Sequence, residues 1–240
     1  ASTLERPYWN DAANAYSAPS NNPSLCDALT GHWYRAFLRL NSPPLLRRCA
    51  TQTAHIITRH ESSAEDERSG NVHAAAVRAA AALIEFGQPD AGLQRIRSML
   101  GDRYQCTRNG MAIWHAFYAL QGFLLSLPDK TLFVAPNLPA GVDYLNTPIF
   151  TPVCMGSLTY QVEREKGYRQ NIRIAFDSPI EIKRFELRIP DALAGVDVYF
   201  TSDGKVRKVV HQTRNGDGET NLSIDLAKPV LIQDSASITV

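Results

Sequence analysis

The stretch NGMAIWHAFYALQGFLLSLPDKTLFVAPNLP, residues 109–139, changes its period partway along, and that change decides the fold. In its first part Ile113, Phe117, Leu120 and Leu124 recur at helical spacing, which predicts a helix from Met111 to Leu127. From Leu132 the apolar residues follow one another in KTLFVAP, a short run bounded by turn residues, which predicts a strand. A helical half therefore precedes this point and a β half follows it.

Working towards the N-terminus, four more helices are expected. NPSLCDALTGHWYRAFLRL offers Asn22 as a cap and Pro23 at the first helical position. Leu25, Leu29, Trp33, Phe37 and Leu40 then form one apolar stripe, and Asn41-Ser42-Pro43 ends it. PLLRRCATQTAHIITRH is a second amphipathic helix with Leu46, Cys49, Ala50, Ala54 and Ile57 on one face. The polar, acidic ESSAEDERSG from Glu61 to Gly70 reads as a solvated connection or as a rim loop over a cleft. NVHAAAVRAAAALIEFG is a third helix, Ala-rich so that neighbours approach closely, with Gly87 as its C-cap. DAGLQRIRSML is a short fourth, starting at Asp90.

Working towards the C-terminus, GSLTYQVE, QNIRIAF, IEIKRFELRIP, GVDVYFTS, KVRKVVHQT, TNLSIDL and SASITV are short strands separated by Gly, Pro, Asp and Asn. Ile172, Ile174 and Phe176 alternate with polar neighbours, as do Phe185, Leu187 and Ile189, so the sheets have one buried and one wet face. Asp203-Gly204 marks a hairpin turn. The expected architecture is an α + β multidomain chain: a helical domain over 1–155 and an antiparallel β-sandwich over 156–240. The Pro-rich stretch from Asn137 to Pro152 is expected to be an irregular joint between them.

Net charge of +1 gives no electrostatic reason for a nucleic-acid partner. No apolar run is long enough to cross a membrane. Cys26, Cys49, Cys106 and Cys154 lack CxxC spacing and read as buried free thiols, which points to a reducing compartment, the cytoplasm. Cys26 with His32, and His55 with His60, lack ligand spacing, and no GxSxG, P-loop or GxGxxG is present. No metal and no cofactor is therefore expected. The chain opens ASTLERPYWND, which reads like the interior of a longer protein.

Two aromatic clusters are the candidate binding residues. On the expected helix of the opening stretch, Trp114, Tyr118 and Gln121 form a stripe beside the apolar one. Each offers a flat or apolar body with a polar tip, the combination a sugar needs; the same stripe also fits plain core packing. TGHWYRAF, with Gly31, His32, Trp33 and Tyr34, repeats the theme.

Several stretches in order resemble the C-terminal third of glycoside hydrolase family 116, the β-glucosidase and non-lysosomal glucosylceramidase family. LERPYWND is similar to the segment following that family's catalytic acid. DALTGHWYRAFLRL resembles its Asp-Gln-Leu-x-Gly-Gln-Trp segment, keeping Asp27, Leu29, Gly31 and Trp33. NVHAAAVRAAAALIEFG follows its Glu-Val-Trp helix, AIWHAFYAL its last barrel helix, and PIFTPVCMGSL its Pro-rich tail. The resemblance covers residues 4–158. It implies the closing helices of an (α/α)6 toroid, a retaining β-glycosidase activity, and a glycoside substrate, glycolipids included. It implies sugar contacts from Trp33, His32, Asn71 or Glu67, Arg108 and Trp114. His32 and His73 stand where the family has Gln and Trp, and Asn71 stands where it has a hydroxyl-binding Glu, so that contact loses its charge assistance. Arg108, just ahead of the Trp114 helix, fits either a pocket guanidinium or a surface loop. A retaining glycosidase needs two carboxylates about 5 Å apart. The resemblance puts both upstream of Ala1, in a partner segment of the same protein, so no catalytic residue is assigned in this chain. The alternative is a non-catalytic carbohydrate-binding or scaffold protein.

Overall fold

The computed structural model describes residues 9–10, 15–16, 70–101, 110–164, 168–189, 197–202, 204–216 and 219–240. The chain divides into two compact units, Ala1–Leu120 and Gln121–Val240. The first two expected helices and the acidic loop up to residue 69 lie outside the described residues.

In the first unit, β1 (Trp9–Asn10) and β2 (Ala15–Tyr16) form a short antiparallel pair. Among the described residues three helices follow: α1 (Gly70–Glu85), α2 (Pro89–Gly101) and α3 (Gly110–Gln121). The Ala-rich segment buries Ala79, Ala80, Ala81, Ala82 and Ile84. Its end is a Schellman cap: Gly87 N–H donates to Ile84 O and Gln88 N–H to Leu83 O, at 3.1 and 2.9 Å. Gly87 sits at φ +80°, where a side chain would be strained. Helix α2 starts at Pro89, one residue before the expected Asp90, because a proline at the first helical position loses no hydrogen bond. A Cβ on Gly92 would lie 2.6 Å from Ala80 O, so α1 and α2 approach closely where both are small. Ile84, Ile96, Ala116 and Ala119 make one core from all three helices.

The second unit is a sandwich of two sheets. Its strands are β3 (Phe123–Ser126), β4 (Thr131–Val134), β5 (Tyr144–Phe150), β6 (Met155–Glu163), β7 (Arg169–Phe176) and β8 (Ile180–Ile189). They continue with β9 (Tyr199–Ser202), β10 (Lys205–Lys208), β11 (His211–Gly216), β12 (Glu219–Ile232) and β13 (Ala236–Thr239). One sheet has the order β10-β9-β13-β7-β6-β5 and the other β11-β12-β8-β4-β3. The inner faces share one core, in which the Phe185 ring of β8 lies 5.4 Å from the Phe200 ring of β9.

Four expectations change here. The helix expected to run to Leu127 ends at Gln121, and Phe123-Leu124-Leu125 is a strand paired with β4. Gly122, at φ +56°, makes the switch, and its carbonyl accepts the Ala135 N–H at 2.9 Å. The β structure consequently begins at Phe123, ahead of the strand expected from Leu132, and the division between the units falls after Leu120 where the expected domains met at 155/156. The supposed irregular joint contains β5, an edge strand with Pro148 in it; an edge has no further strand needing that missing N–H. The sandwich is mixed rather than wholly antiparallel, since β4 and β8 run parallel. Between them the chain builds β5, β6 and β7 in the other sheet, and a connection that long leaves the strand direction free.

The remaining strands follow the sequence reading with local revisions. KVRKVVHQT divides into β10 and β11, which belong to different sheets. TNLSIDL extends through Pro229 to Ile232, with a register shift between Asp225 and Val230 accommodating the proline. Ser202 of β9 pairs with Lys205 of β10, and Gly204 of the expected turn sits at φ +71°, while Asp203 lies outside the described residues.

Candidate functional site

Helix α3 is built with two unlike faces. Ala116 and Ala119 are small and buried against α1 and α2. Trp114, Phe117 and Tyr118, spaced at i, i+3 and i+4, gather beside them, with Tyr118 also packed against that core. The Trp114 ring meets the Phe117 ring edge-on at 5.3 Å and lies 6.2 Å from the Tyr118 ring, tilted by 34°. Phe117 and Tyr118 meet edge-on at 5.5 Å. Each ring thus holds the orientation of the others, and Trp114 remains 44% exposed. The result is a pre-oriented aromatic cluster in which Trp114 is the most exposed ring.

Ile113 and Phe117 are only half-buried, so the stripe expected to be core is not the deepest one. Leu124 leaves the stripe altogether, because it belongs to β3. Gln121 does not join Trp114 and Tyr118 as a wall residue. Its side chain is buried in the second unit, where Nε2 donates to the Pro148 carbonyl of β5 at 2.8 Å.

Two further groups belong to the α3 neighbourhood. Half-burial holds the His115 imidazole below its ordinary pKa of 6.5, and the Arg78 guanidinium pushes it further in the same direction. His115 is therefore neutral at pH 7 and can both donate and accept a hydrogen bond. The Nε–H of Arg78 on α1 is buried and makes no hydrogen bond to the protein. Sequence reasoning missed Arg78; the available signal was a single cation, flanked by Val77 and Ala79, in the otherwise apolar run from Ala74 to Ile84.

A lowered histidine pKa has a defined consequence for stability. The unfolded chain binds the proton more readily than the folded one, so stability is fully present above about pH 6.5 and declines as pH falls through the lower folded value. Arg78→Gln removes the charge but leaves the burial. The His115 pKa is then expected to rise part of the way towards 6.5. Proton NMR titration of the imidazole, assigned with His115→Gln, reads this directly, and an unmoved titration would show that burial alone sets the value.

Of the residues singled out in the sequence, Trp114 stands on α3 and Asn71 in the first turn of α1. Trp33, His32, Glu67 and Arg108 lie outside the described residues. Among the described residues no group of three or more His, Cys, Asp or Glu side chains could hold a metal ion, and no helix is long and apolar enough to cross a membrane.

No family model matches the chain, and no curated protein matches it. Among solved structures, the chain is similar to the α-L-rhamnosidase from Dictyoglumus thermophilum, with 10% identity and a TM-score of 0.49 over 98% of this chain and 27% of that one. It is also similar to a GH127 β-L-arabinofuranosidase from Geobacillus stearothermophilus T6, with 14% identity and a TM-score of 0.31 over 89% of this chain and 41% of that one. A third likeness is to the α-1,4-glucan lyase of Gracilariopsis lemaneiformis, with 11% identity and a TM-score of 0.30 over 47% of this chain and 14% of that one. The chain spans about a quarter of the length of the rhamnosidase that it resembles.

Proposed function

We propose that the chain is the C-terminal part of a cytoplasmic retaining β-glycoside hydrolase of the β-glucosidase or glucosylceramidase type. In this reading α1 to α3 are closing helices of an (α/α)6 toroid, and they supply part of the wall that binds the sugar. Trp33, His32, Asn71 or Glu67, and Arg108 contribute further contacts, and the catalytic carboxylates come from the segment upstream of Ala1. The observation that carries the reading is the Trp114–Phe117–Tyr118 surface. It presents aromatic ring surface for sugar C–H groups, and Trp114 stands 44% exposed. The order of family-116-like segments over residues 4–158 supports it as well.

The test is Trp114→Ala in the full-length protein acting on an aryl β-glucoside. Loss of one stacking contact of about 1 kcal/mol predicts a drop in kcat/KM of roughly five- to tenfold. Thermal stability should barely change, since the α3 core is carried by Ala116 and Ala119. Unchanged kinetics, or full-length protein without hydrolytic activity, would overturn the reading.

A further inference from the structure

The outward face of the six-stranded sheet carries an ordered set of side chains that the reading of α3 leaves unused. Strand register places Tyr199, Thr239, Asn171, Gln161 and Tyr144 in one cross-strand row, running over β9, β13, β7, β6 and β5. Beside it, Ser237, Arg173, Thr159 and Asn146 form a second row over β13, β7, β6 and β5. All of these positions alternate with buried ones, so their side chains leave the core.

The chemistry of the rows is uneven in an informative way. Tyrosines stand four strands apart in the first row, 39% exposed at Tyr199 and 54% at Tyr144, and the register continues beyond Tyr199 to Lys208 of β10. Between them are only amides and a hydroxyl. Thr239 Oγ1 donates to Asn171 Oδ1 at 3.0 Å, which fixes the amide so that its NH2 group is the part left to donate. Four strand spacings of about 4.8 Å set the tyrosines roughly 19 Å apart. A protein partner of ordinary composition is met by an apolar or aromatic anchor at the centre of the patch, with polar groups at the rim. This face has the reverse arrangement. A chain of sugar rings suits it: the end rings stack on the tyrosines, and the hydroxyls between them meet Gln161, Asn171 and Arg173. Over the span from Tyr199 to Tyr144, Arg173 is the one charged side chain of the two rows, and its planar fork can hold two adjacent hydroxyls or a uronate carboxylate.

We propose that this face is a binding surface for an extended glycan several rings long, lying across β9, β13, β7, β6 and β5. It stands on side chains of the second unit alone and does not depend on the sugar-binding role of α3.

The experiment is calorimetric titration of the full chain with hexamers of β-1,4-linked glucose, β-1,4-linked xylose and α-1,4-linked galacturonate. At least one hexamer is expected to bind, and its monosaccharide to bind far more weakly, because one ring cannot reach both tyrosines. Tyr144→Ala and Tyr199→Ala should each weaken binding on the order of five- to tenfold, the loss of one stacked ring. Gln161→Ala should weaken it too, whereas Lys228→Ala, on an exposed position of the other sheet, should not. Both tyrosines and Gln161 lie outside the core, so unchanged amide spectra for core strands show that the variants are folded. If the galacturonate chain binds best and Arg173→Gln abolishes that preference, the occupant carries carboxylates; if a neutral chain binds best, it is a neutral glycan, and either result supports the surface. The proposal is overturned if no hexamer binds. It is equally overturned if binding survives both tyrosine variants but is lost in Trp114→Ala, a result that would leave the reading of α3 intact.

Discussion

Phe185→Ala is expected to lower the stability of the β-sandwich by about 3–5 kcal/mol, the usual cost of truncating a fully buried aromatic ring. Phe185 has no exposed surface, and its ring lies against Phe200 of the opposite sheet at 5.4 Å. Within its own sheet it is paired with Leu132 on one side and Ile224 on the other, both fully buried. Removing the ring leaves a space whose walls are side chains fixed on three paired strands, which cannot close in without shifting register. Phe185→Leu, which keeps most of the volume, should cost less. All three tryptophans precede Gln121, so their fluorescence is a poor reporter for this unit. Urea unfolding followed by far-UV circular dichroism, with hydrogen exchange at Ile182 and Ile224 as the local probe, reads the change. A loss under about 1 kcal/mol would show that the ring does not fill the space between the sheets.

The parts of this fold that were legible in sequence are those where one face is wet. Strands β6 and β7 alternate because their outer residues meet water, and β8 does so on either side of the exposed Lys183-Arg184 pair. Strand β3 has no such alternation. Phe123-Leu124-Leu125 extends the apolar run of α3, and a short apolar run fits either period; only Gly122 marked the switch. Strand β5 was hidden by Pro148 and the second half of β12 by Pro229, since a proline reads as a breaker unless the edge position or the bulge that tolerates it is known.

The site divides in the same way. Trp114 and Tyr118 share a face because helical spacing places them there, and the sequence suffices to see it. Gln121 looked like their neighbour by the same spacing. Its partner, the Pro148 carbonyl, is fixed by tertiary structure, which no local pattern reports. The row from Tyr199 to Tyr144 draws on five strands that are neighbours in the sheet but not consecutive in sequence, so only the register brings it into view.

Gly122→Ala should cost about 3 kcal/mol or more, although it adds a single methyl group. Two effects contribute. Gly122 has φ +56°, and placing an L-residue there costs roughly 1–2 kcal/mol. The added Cβ would also lie 1.9 Å from Ala135 O, 2.3 Å from Ala135 C and 2.9 Å from Pro136 N. All three are backbone atoms, so no side chain can swing aside, and either the end of β4 or the turn out of α3 must move. Moving it strains the hydrogen bond from Ala135 N–H to Gly122 O and the Phe123–Val134 pair next to it. Overpacking of this kind typically adds about 1–3 kcal/mol. Gly141 separates the two effects. It has φ +76° but open space where a Cβ would go, so Gly141→Ala should cost only the backbone part, about 1–2 kcal/mol. Urea unfolding of the two variants side by side decides the matter. If Gly122→Ala costs no more than Gly141→Ala, then β4 does not crowd the end of α3. A clearly larger loss, together with faster hydrogen exchange at Ala135, identifies Gly122 as the residue that allows a helix to turn directly into the first strand of the sandwich.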